Sequence, residues 1–461
     1  MNRREFLKFV VAGTASISLS SSFARASQRK PNFLFIFIDD MGYGDVGFNG
    51  NQFTETPNID RLASEGMIFT NAYVNAPNCA PSRACLMSGQ YSPRHGVYTV
   101  GSSERGDSRH RKLIPVKNTV MLNPDTVTIA EALKPASYVN GHFGKWHLGK
   151  DKNFKPGRIG DPGSQGFDDV LTTNRGNKKS NPDCHHTKQV TNRAMQFMET
   201  NRDGPFFCYV SHNTIHSPWL EDEKLIDKYK AKPESQLPQY HPIAGAMIET
   251  LDKNVGRLMA KLDELKLAEN TVVVFFSDNG GVLNHSSMGP LRGCKGTLYE
   301  GGIREPLVIR WPGKIKAGSV CDEPVMAVDF YPTFLELASA PKPDQPLDGM
   351  SIVPLLKGAK KLESRELYWH FPVYLEGNYG YPGRWRTTPV SVVRSGNWKL
   401  MEYFEDGRLE LYNLTEDIGE KNNLAAKLPD KTKQLHKLLK KWRKKVNAPV
   451  PTEANPEYAP E

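Results

Sequence analysis

The sequence predicts an α/β protein with a large, mostly parallel sheet sandwiched by helices, followed by a smaller α+β domain. Three apolar runs, at 33–38, 205–210 and 271–276, are continuous rather than alternating. Continuous runs are typical of strands that are buried on both faces of a parallel sheet. Helical patterns lie between the runs, and this alternation indicates a doubly wound domain.

The predicted helices begin and end near proline and glycine. The first follows Thr56 and Pro57, a threonine cap with proline in the first turn, and stops at Gly66. A shorter helix covers 128–134. The longest, over 244–265, repeats apolar residues three or four apart, so one of its faces should pack on the sheet.

The pattern changes after Gly349, and we expect a main domain over 27–357 and a smaller domain over 358–461. Strands of the smaller domain are predicted at 365–372, 390–393, 398–403 and 408–414. A basic helix over 429–446 should dock its apolar stripe on this second, antiparallel sheet and leave its lysines in solvent. The alternative for such a helix is a membrane surface. The tail from Ala448 is expected to be poorly ordered.

Residues 1–26 predict an export signal of the twin-arginine type. Arg3 and Arg4 precede a weakly apolar stretch over 9–23, and 24–26 form a small-x-small cleavage site. Because this route carries folded proteins, we expect a periplasmic or secreted protein that folds before export. The formal net charge is +9; residues 1–26 contribute four positive charges and one negative charge, so it is +6 without them. A positive charge suits an anionic substrate but is also common in proteins that have none. We expect no nucleic-acid partner and, since no apolar run is long enough for a span, no stable membrane insertion.

Polar side chains follow each of the three buried runs. Asp39 and Asp40 follow the first run, His216 lies just beyond the second, and Asp278 and Asn279 follow the third. In open α/β sheets, ligands bind outside the carboxyl ends of the strands. We therefore expect these three distant segments to meet at one site.

The oxygen donors among these residues predict a divalent cation. Three carboxylates within about 4 Å of one another would repel by about 4 kcal/mol per pair at an effective dielectric near 20. A cation removes that cost, and oxygen-only ligation favours calcium or magnesium over zinc. The alternative is that both segments are simply turns, since aspartate, asparagine and glycine favour turns.

The segment 79–89 reads Cys-Ala-Pro-Ser-Arg-Ala-Cys-Leu-Met-Ser-Gly. It resembles the signature of the type I sulfatases, in which the first cysteine is oxidised to formylglycine (3-oxoalanine) by a formylglycine-generating enzyme. That residue would be Cys79 here. Ser88 stands where the family usually has threonine and preserves a hydroxyl, and Ala80 occupies a variable position. The alternative is a buried cysteine that opens an ordinary helix.

The resemblance continues over most of the chain, from about 32 to 425, and it implies a set of site residues. The implied ligands of a calcium ion, with magnesium as the alternative, are Asp39, Asp40, Cys79, Asp278 and Asn279. The implied catalytic residues are Cys79, Arg83, Lys145, His147, His216 and Lys295. Sulfate-binding roles are implied for Lys145, His216 and Lys295.

The resemblance also implies a mechanism for these residues. The hydrated aldehyde at residue 79 attacks sulfur, and Arg83 holds the hydrate through its donor fork. His216 protonates the leaving alcohol, with Lys295 as the alternative acid, while His147 is the base that helps expel sulfate. A serine or cysteine lacks the second hydroxyl of the hydrate and would stall as a sulfated enzyme.

A loop over 369–386 carries aromatic residues together with Arg384 and Arg386, and the segment 101–112 is rich in arginine and serine. Aromatic faces suit sugar rings and arginines suit sulfate. We therefore expect a sulfated carbohydrate derived from a polysaccharide, although the aromatics could instead be core of the smaller domain. The alternative functions are a phosphonate or phosphodiester hydrolase of the same superfamily, and a non-catalytic protein that binds sulfated glycans.

Overall fold

The computed structural model describes residues 29–149, 157–173, 183, 185–377 and 381–459. The predicted export signal over 1–26 lies outside the described residues. The strands are β1 (Asn32–Ile38), β2 (Met67–Phe69), β3 (Ala72–Tyr73), β4 (Val139–Gly144), β5 (Asp169–Thr172), β6 (Phe206–Ser211), β7 (Thr271–Ser277), β8 (Leu307–Arg310), β9 (Ser319–Cys321), β10 (Val325–Met326), β11 (Glu366–Phe371), β12 (Leu375–Glu376), β13 (Trp385–Thr387), β14 (Val390–Ser395), β15 (Trp398–Tyr403) and β16 (Leu409–Asn413).

Helices separate most of these strands. They are α1 (Pro57–Glu65), α2 (Cys79–Ser88), α3 (Ser92–His95), α4 (Ile129–Leu133), α5 (Thr187–Thr200), α6 (Glu223–Lys230), α7 (Pro242–Glu264), α8 (Glu300–Ile303), α9 (Phe330–Ala338), α10 (Val353–Leu356) and α11 (Pro429–Lys445). No helix within the described part of the chain is both long enough and apolar enough to cross a membrane.

The large sheet has the strand order β5-β4-β6-β1-β7-β8-β2-β9. Its first five strands run parallel, and β8 pairs antiparallel with both of its neighbours. Alternate residues of β1 pack into different layers: Phe33 and Phe35 lie in the core that contains α2, α4 and α9, whereas Leu34 and Ile36 face α1, α5 and α7. Because both faces of β1 are covered, its whole sequence is apolar, which confirms the predicted α/β architecture.

The smaller sheet is antiparallel, in the order β11-β14-β15-β16. Helix α11 docks on it as the sequence predicts, with Leu435, Leu439 and Trp442 buried. The Trp442 ring stacks on Tyr368 of β11, with ring centroids 4.6 Å apart. The apolar stripe of α11 is therefore covered by protein.

The expectation of a poorly ordered tail is wrong for the residues up to 459. The amide of Ile114 donates to the carbonyl of Glu453, and the amide of Asn455 donates to that of Lys112. The Asn455 side chain also donates to the carbonyl of Arg111, at 2.8 Å. The tail is thus paired with the segment around 108–114, an arrangement that composition alone does not reveal.

The first helix begins and ends at the predicted residues, but the groups that stabilise its ends are not the predicted ones. The Thr56 hydroxyl does not cap α1; it accepts from the amide of Gly47 instead. The free amides at the start of α1 donate to a carboxylate of α7, Asp252, which accepts from Ile59 at 2.8 Å. Gly66 is extended rather than left-handed. The helix is therefore capped by a residue that is distant in the sequence, and a local sequence pattern cannot identify such a cap.

Candidate active site

The predicted site residues meet at the carboxyl ends of four adjacent strands. The residues that follow these strands are Asp39 and Asp40 (β1), Lys145 and His147 (β4), His216 (β6), and Asp278 and Asn279 (β7). Cys79 and Arg83 reach the same place from α2, and Lys295 reaches it from the loop before α8. The convergence expected from the strand ends is therefore present.

Three buried carboxylates form the centre of the site. Oxygens of Asp39, Asp40 and Asp278 lie within 4.8 Å of one another. Asp40 adopts a left-handed backbone, with φ of 67°, and its amide donates to Asp278 Oδ1 at 3.2 Å. Aspartate is one of the few residue types that tolerate this conformation. The turn after β1 thus directs Asp40 toward the end of β7.

Two buried oxygens of this cluster have no hydrogen-bond partner among the described residues, Asp39 Oδ1 and Asn279 Oδ1. The amide group of Asn279 donates to Asp40 Oδ1 at 2.8 Å, so its own Oδ1 remains available. Unpartnered buried oxygens are costly. A divalent cation would satisfy them, and the oxygen-only donor set fits calcium or magnesium.

Two lysines contact the carboxylates from opposite sides. Lys145 Nζ lies 2.6 Å from Asp39 Oδ2, and Lys295 Nζ lies 2.6 Å from Asp40 Oδ1. Burial alone would raise the pKa of Asp39, but Lys145 and the neighbouring cationic groups hold that pKa well below its ordinary value. Burial raises the pKa of Asp278 to about 6, with Arg83 opposing the shift. The site is therefore dense in charges of both signs.

Cys79 is the first residue of α2 and is buried beside the carboxylates. Its Sγ lies within 4.8 Å of ligand atoms of Asp39 and His216. Burial raises the pKa of the Cys79 thiol. An unmodified thiol would therefore be protonated at neutral pH and weakly nucleophilic. The position suits a side chain that is chemically modified before it reacts.

The donors of Arg83 contact Asp278 and its surroundings, and its predicted contact with the hydrate at residue 79 stays a prediction. Its Nε and Nη2 donate to Asp278 Oδ2, at 2.9 and 2.6 Å, and its Nη1 donates to the Ser211 hydroxyl and to the Lys145 carbonyl. A fully buried guanidinium needs a carboxylate partner, and Asp278 supplies it. Arg83 is therefore a positioning residue for Asp278.

The two predicted histidines both face the cluster in neutral form. Burial and Lys145 lower the pKa of His147 well below its ordinary value. Burial and Lys295 lower the pKa of His216 to about 4. His216 Nδ1 donates to the Ser217 carbonyl at 2.9 Å, so the neutral ring has no proton on Nε2, which lies 3.7 Å from Asp40 Oδ2. This geometry suits His216 as an acceptor more than as the predicted acid.

The loop that carries Lys295 is held between two site segments. The Lys295 amide donates to the Gly281 carbonyl at 2.9 Å, and the Gly296 amide donates to the Pro77 carbonyl at 2.7 Å. Gly296 has a φ of 90°, which favours glycine. Arg386 Nη1 donates to the Lys295 carbonyl at 3.1 Å. Arg386 is thus buried directly behind Lys295.

Arg384 lies on the surface instead, beside the exposed mouth of a groove. The groove has a volume of about 630 Å³ and is lined by His110, Lys112, Arg384, Trp385, Glu405, Tyr458 and Ala459. The Trp385 indole donates to the His110 carbonyl at 3.3 Å, and Arg105 pairs with Glu376 at 2.7 Å. The segment 101–112 therefore packs against the loop, whose residues 378–380 lie outside the described part of the chain.

Two residues near the cluster have no clear signal in the sequence. Ser211, the last residue of β6, accepts from Arg83. His185 is buried; burial lowers its pKa, against opposing contributions from the Pro218 backbone and Asp39. A lone serine or histidine carries no functional pattern, so only proximity identifies them.

Two family models cover most of the chain. A model described as "Sulfatase" matches residues 31–340, and one described as "N-sulphoglucosamine sulphohydrolase, C-terminal" matches residues 294–447. The chain belongs to the sulfatase family. It is therefore an enzyme that hydrolyses sulfate esters. Membership of this family generally implies a formylglycine residue and a divalent metal.

Several similar proteins extend this assignment. The sulfatase is 32% identical to a "Sulfatase" of Formosa agariphila, covering 97% of this chain and 95% of the relative. It is 31% identical to the N-acetylgalactosamine-6-sulfatase of Mus musculus, covering 75% and 70% of the two chains. Among solved structures, Ps i-CgsB in complex with k-i-k-neocarrahexaose is similar with a TM-score of 0.73 at 28% identity, covering 90% of this chain and 93% of that one.

Proposed function

We propose that this sulfatase removes sulfate from a carbohydrate derived from a sulfated polysaccharide. The observation that carries the proposal is the buried, charged cluster at the strand ends, together with an open groove on the surface of the same protein. Lys145 and Lys295 supply positive charge at the site, and Arg384 and Trp385 lie on the groove. Two of the similar proteins are named for, or bound to, carbohydrates. Aromatic and arginine side chains together suit a sulfated sugar.

We further propose the groups that complete the site. The ligands of a calcium ion, with magnesium as the alternative, would be Asp39, Asp40, residue 79, Asp278 and Asn279. Cys79 would be converted to formylglycine by a formylglycine-generating enzyme. When present, the aldehyde hydrate supplies the nucleophile and the cation supplies positive charge at the sulfate oxygens.

The chain's own residues would then bind the sulfate and move protons. Lys145 and Lys295 bind sulfate oxygens, and Arg83 fixes the orientation of Asp278. Burial would lower the pKa of Lys295, but Asp40 raises it above its ordinary value, so the ammonium stays charged and can bind sulfate oxygens. Because the neutral His216 ring is suited to accept a proton, we propose the alternative acid, Lys295, for protonation of the leaving oxygen. Neutral His147 is suited to accept a proton in the step that releases sulfate.

We also propose that the enzyme is exported to the periplasm or outside the cell through the twin-arginine signal at 1–26. The modification of Cys79 would precede export because this route carries folded proteins. The proposed division is a catalytic domain over 27–357 and a C-terminal subdomain over 358–461 that contributes a substrate loop. Fractionation of the native host, with and without Arg3→Lys and Arg4→Lys, tests the route; unchanged export of the double variant would contradict it.

A substrate panel tests the function directly. Sulfate release is measured on an aryl sulfate, on oligosaccharides from a sulfated galactan and from a glycosaminoglycan, and on matched phosphodiester and phosphonate compounds. We expect release from at least one sulfated oligosaccharide, with slower turnover of the phosphorus esters. Faster turnover of either phosphorus ester would support the alternative hydrolase of the same superfamily.

Mass spectrometry of residue 79 separates an enzyme from a binding protein. In protein from the native host, the peptide that contains residue 79 should be about 18 Da lighter than its cysteine form. Cys79→Ser should abolish turnover but retain the fold. A fully unmodified peptide in the native protein, without turnover of any sulfate ester, would support the non-catalytic alternative.

The two arginines of the loop give a sharper test of the carbohydrate. Arg384→Ala should lower kcat/KM on the oligosaccharide by about tenfold, the loss expected for one charged hydrogen bond, and leave aryl-sulfate turnover unchanged. Arg386→Ala should lower turnover of both substrates, because Arg386 holds the Lys295 backbone. Unchanged oligosaccharide kinetics in Arg384→Ala would remove this residue from the substrate site.

A further inference from the structure

One helix carries a large excess of positive over negative residues. The whole chain has a formal net charge of +9. Helix α11, of 17 residues, contains seven lysines and one arginine, whereas its only acidic residue is Asp430 in the first turn. Such a concentration of like charge is unfavourable by itself and attracts polyanions.

The side of α11 that faces the protein is fully engaged. Leu435, Leu439 and Trp442 are buried against the smaller sheet. Arg443 and His436 both contact the carboxylate of Glu402 on β15, at 2.6 and 2.9 Å. The helix is therefore fixed in orientation, and its remaining side is directed outward.

Six lysines form that outward side, which we call the lysine face. They are Lys433, Lys437, Lys440, Lys441, Lys444 and Lys445, and all are exposed. Spacings of three and four residues place most of them on one side of the helix. Within the described residues, no carboxylate lies within salt-bridge distance of any of these six ammonium groups. The face extends over about 18 Å at 1.5 Å per residue.

We propose that the lysine face is a second binding surface, outside the active site, for an anionic polysaccharide. The polymer class rests on the proposed function, whereas the existence of the surface rests on its charge. A membrane fits less well, because a helix that binds a bilayer surface needs an exposed apolar face, and that of α11 is buried. A sulfated polymer needs only a row of cations.

The side of the helix that faces the protein lies near the groove. The Arg443 guanidinium lies over the Phe404 ring, 5.1 Å from its centroid. The residue after Phe404, Glu405, lines the groove together with Arg384. A polymer held on the lysine face would raise the local concentration of sulfate esters at the protein.

Charge reversal on the helix tests the proposal. The variant replaces four lysines of the face by glutamate: Lys437→Glu, Lys440→Glu, Lys441→Glu and Lys444→Glu. A matched control reverses four exposed lysines of the chain outside α11: Lys342→Glu, Lys357→Glu, Lys360→Glu and Lys361→Glu. Binding to dextran sulfate, neutral dextran and phosphatidylglycerol vesicles is measured at several salt concentrations, with aryl-sulfate turnover as a check of the fold.

We expect salt-dependent binding to dextran sulfate that the helix variant weakens at least about tenfold, and that the control changes much less. Aryl-sulfate turnover should be the same in all three proteins. Equal weakening in both variants, or tighter binding to vesicles than to dextran sulfate, would overturn the proposal. Helix-dependent polymer binding by a protein that hydrolyses no sulfate ester would instead refute the proposed function and leave this surface in place.

Discussion

Two buried clusters of charged residues in this protein contain the same residue types but have different roles. One is the carboxylate cluster at the end of the large sheet. The other joins the smaller sheet to the Lys295 loop: Lys399 Nζ lies 2.9 Å from both Glu300 Oε1 and Glu420 Oε1, and the Tyr73 hydroxyl donates to Glu300 Oε2 at 2.6 Å. Every carboxylate of this second cluster thus lies against a donor.

The difference between the clusters lies in what remains unsatisfied. In the Lys399 cluster, burial would raise the pKa of Glu300, but Lys399, Arg394 and Arg304 lower it to about 2. Burial raises the pKa of Glu420 to about 7, although Lys399 opposes the shift, and Glu420 Oε1 is 2.9 Å from Lys399 Nζ but makes no well-aligned hydrogen bond. A cation of the chain itself therefore lies against each carboxylate of this cluster. In the carboxylate cluster, Asp39 Oδ1 and Asn279 Oδ1 remain without partners among the described residues. We call a cluster closed when a cation of the chain lies against each of its carboxylates, and such a cluster stabilises the fold. We call a cluster open when some of its oxygens lack a partner, and such a cluster can bind a ligand.

The largest expected effect is on stability, in the closed cluster. Lys399→Met leaves Glu300 and Glu420 buried without their cation, so we expect a loss of about 3–5 kcal/mol in the free energy of unfolding. Denaturant unfolding measures this loss. The triple variant Lys399→Met, Glu300→Gln, Glu420→Gln should recover much of it, because no buried charge is left unpaired. A triple variant as unstable as the single one would break the comparison.

The next effect is on activity, in the open cluster. Lys145→Ala removes a cation that faces the sulfate, and we expect kcat on an aryl sulfate to fall by about 10²–10³-fold. The free energy of unfolding should change much less than in Lys399→Met. Steady-state kinetics and denaturant unfolding of Lys145→Ala and Lys399→Met compare the loss of activity with the loss of stability in each variant. Similar losses of stability in both would show that the clusters do not differ in kind.

The smallest effect concerns pH, in the smaller domain. Burial would raise the pKa of Glu402, but His436 and Arg443 lower it from an ordinary 4.5 to about 2. Since the folded pKa is depressed, this carboxylate stabilises the protein above pH 4.5, and the stabilisation is lost as the pH falls from 4.5 through 2. Glu402→Gln should therefore be less stable than the parent at pH 7, with the gap closing below pH 4.5. Parallel stability curves would contradict this.

The sequence predicts the parts of the molecule that depend on periodicity and chain position. The continuous apolar run of β1 identifies the central strand, and the position of Asp39 after it locates the site. Local patterns do not show pairings between distant residues. The capping of α1 by Asp252, the engagement of Arg83 with Asp278, and the tail paired through Asn455 all depend on tertiary contacts.

The functional residues differ in the same way: those with a local sequence signature can be predicted, and those that only the fold brings together cannot. The Cys79 segment identifies the sulfatase family from sequence, because its residue types are set by chemistry at one place. The Lys399 cluster has no such signature, since Glu300, Lys399 and Glu420 come together only in the folded protein. The groove around Arg384 is likewise assembled from four separate segments. Composition indicated two of them, the substrate loop and 101–112, but gave no sign of Glu405 or of the tail residues Tyr458 and Ala459.

Calorimetric titration of the metal-stripped protein with calcium tests the central claim most directly. The open cluster predicts one calcium ion bound per chain, with binding weakened at least about tenfold in Asn279→Ala. Lys399→Met, measured at a temperature where it is folded, should bind as the parent does. No binding to the parent, or binding that Asn279→Ala leaves unchanged, would contradict the assignment of the carboxylate cluster as the metal site.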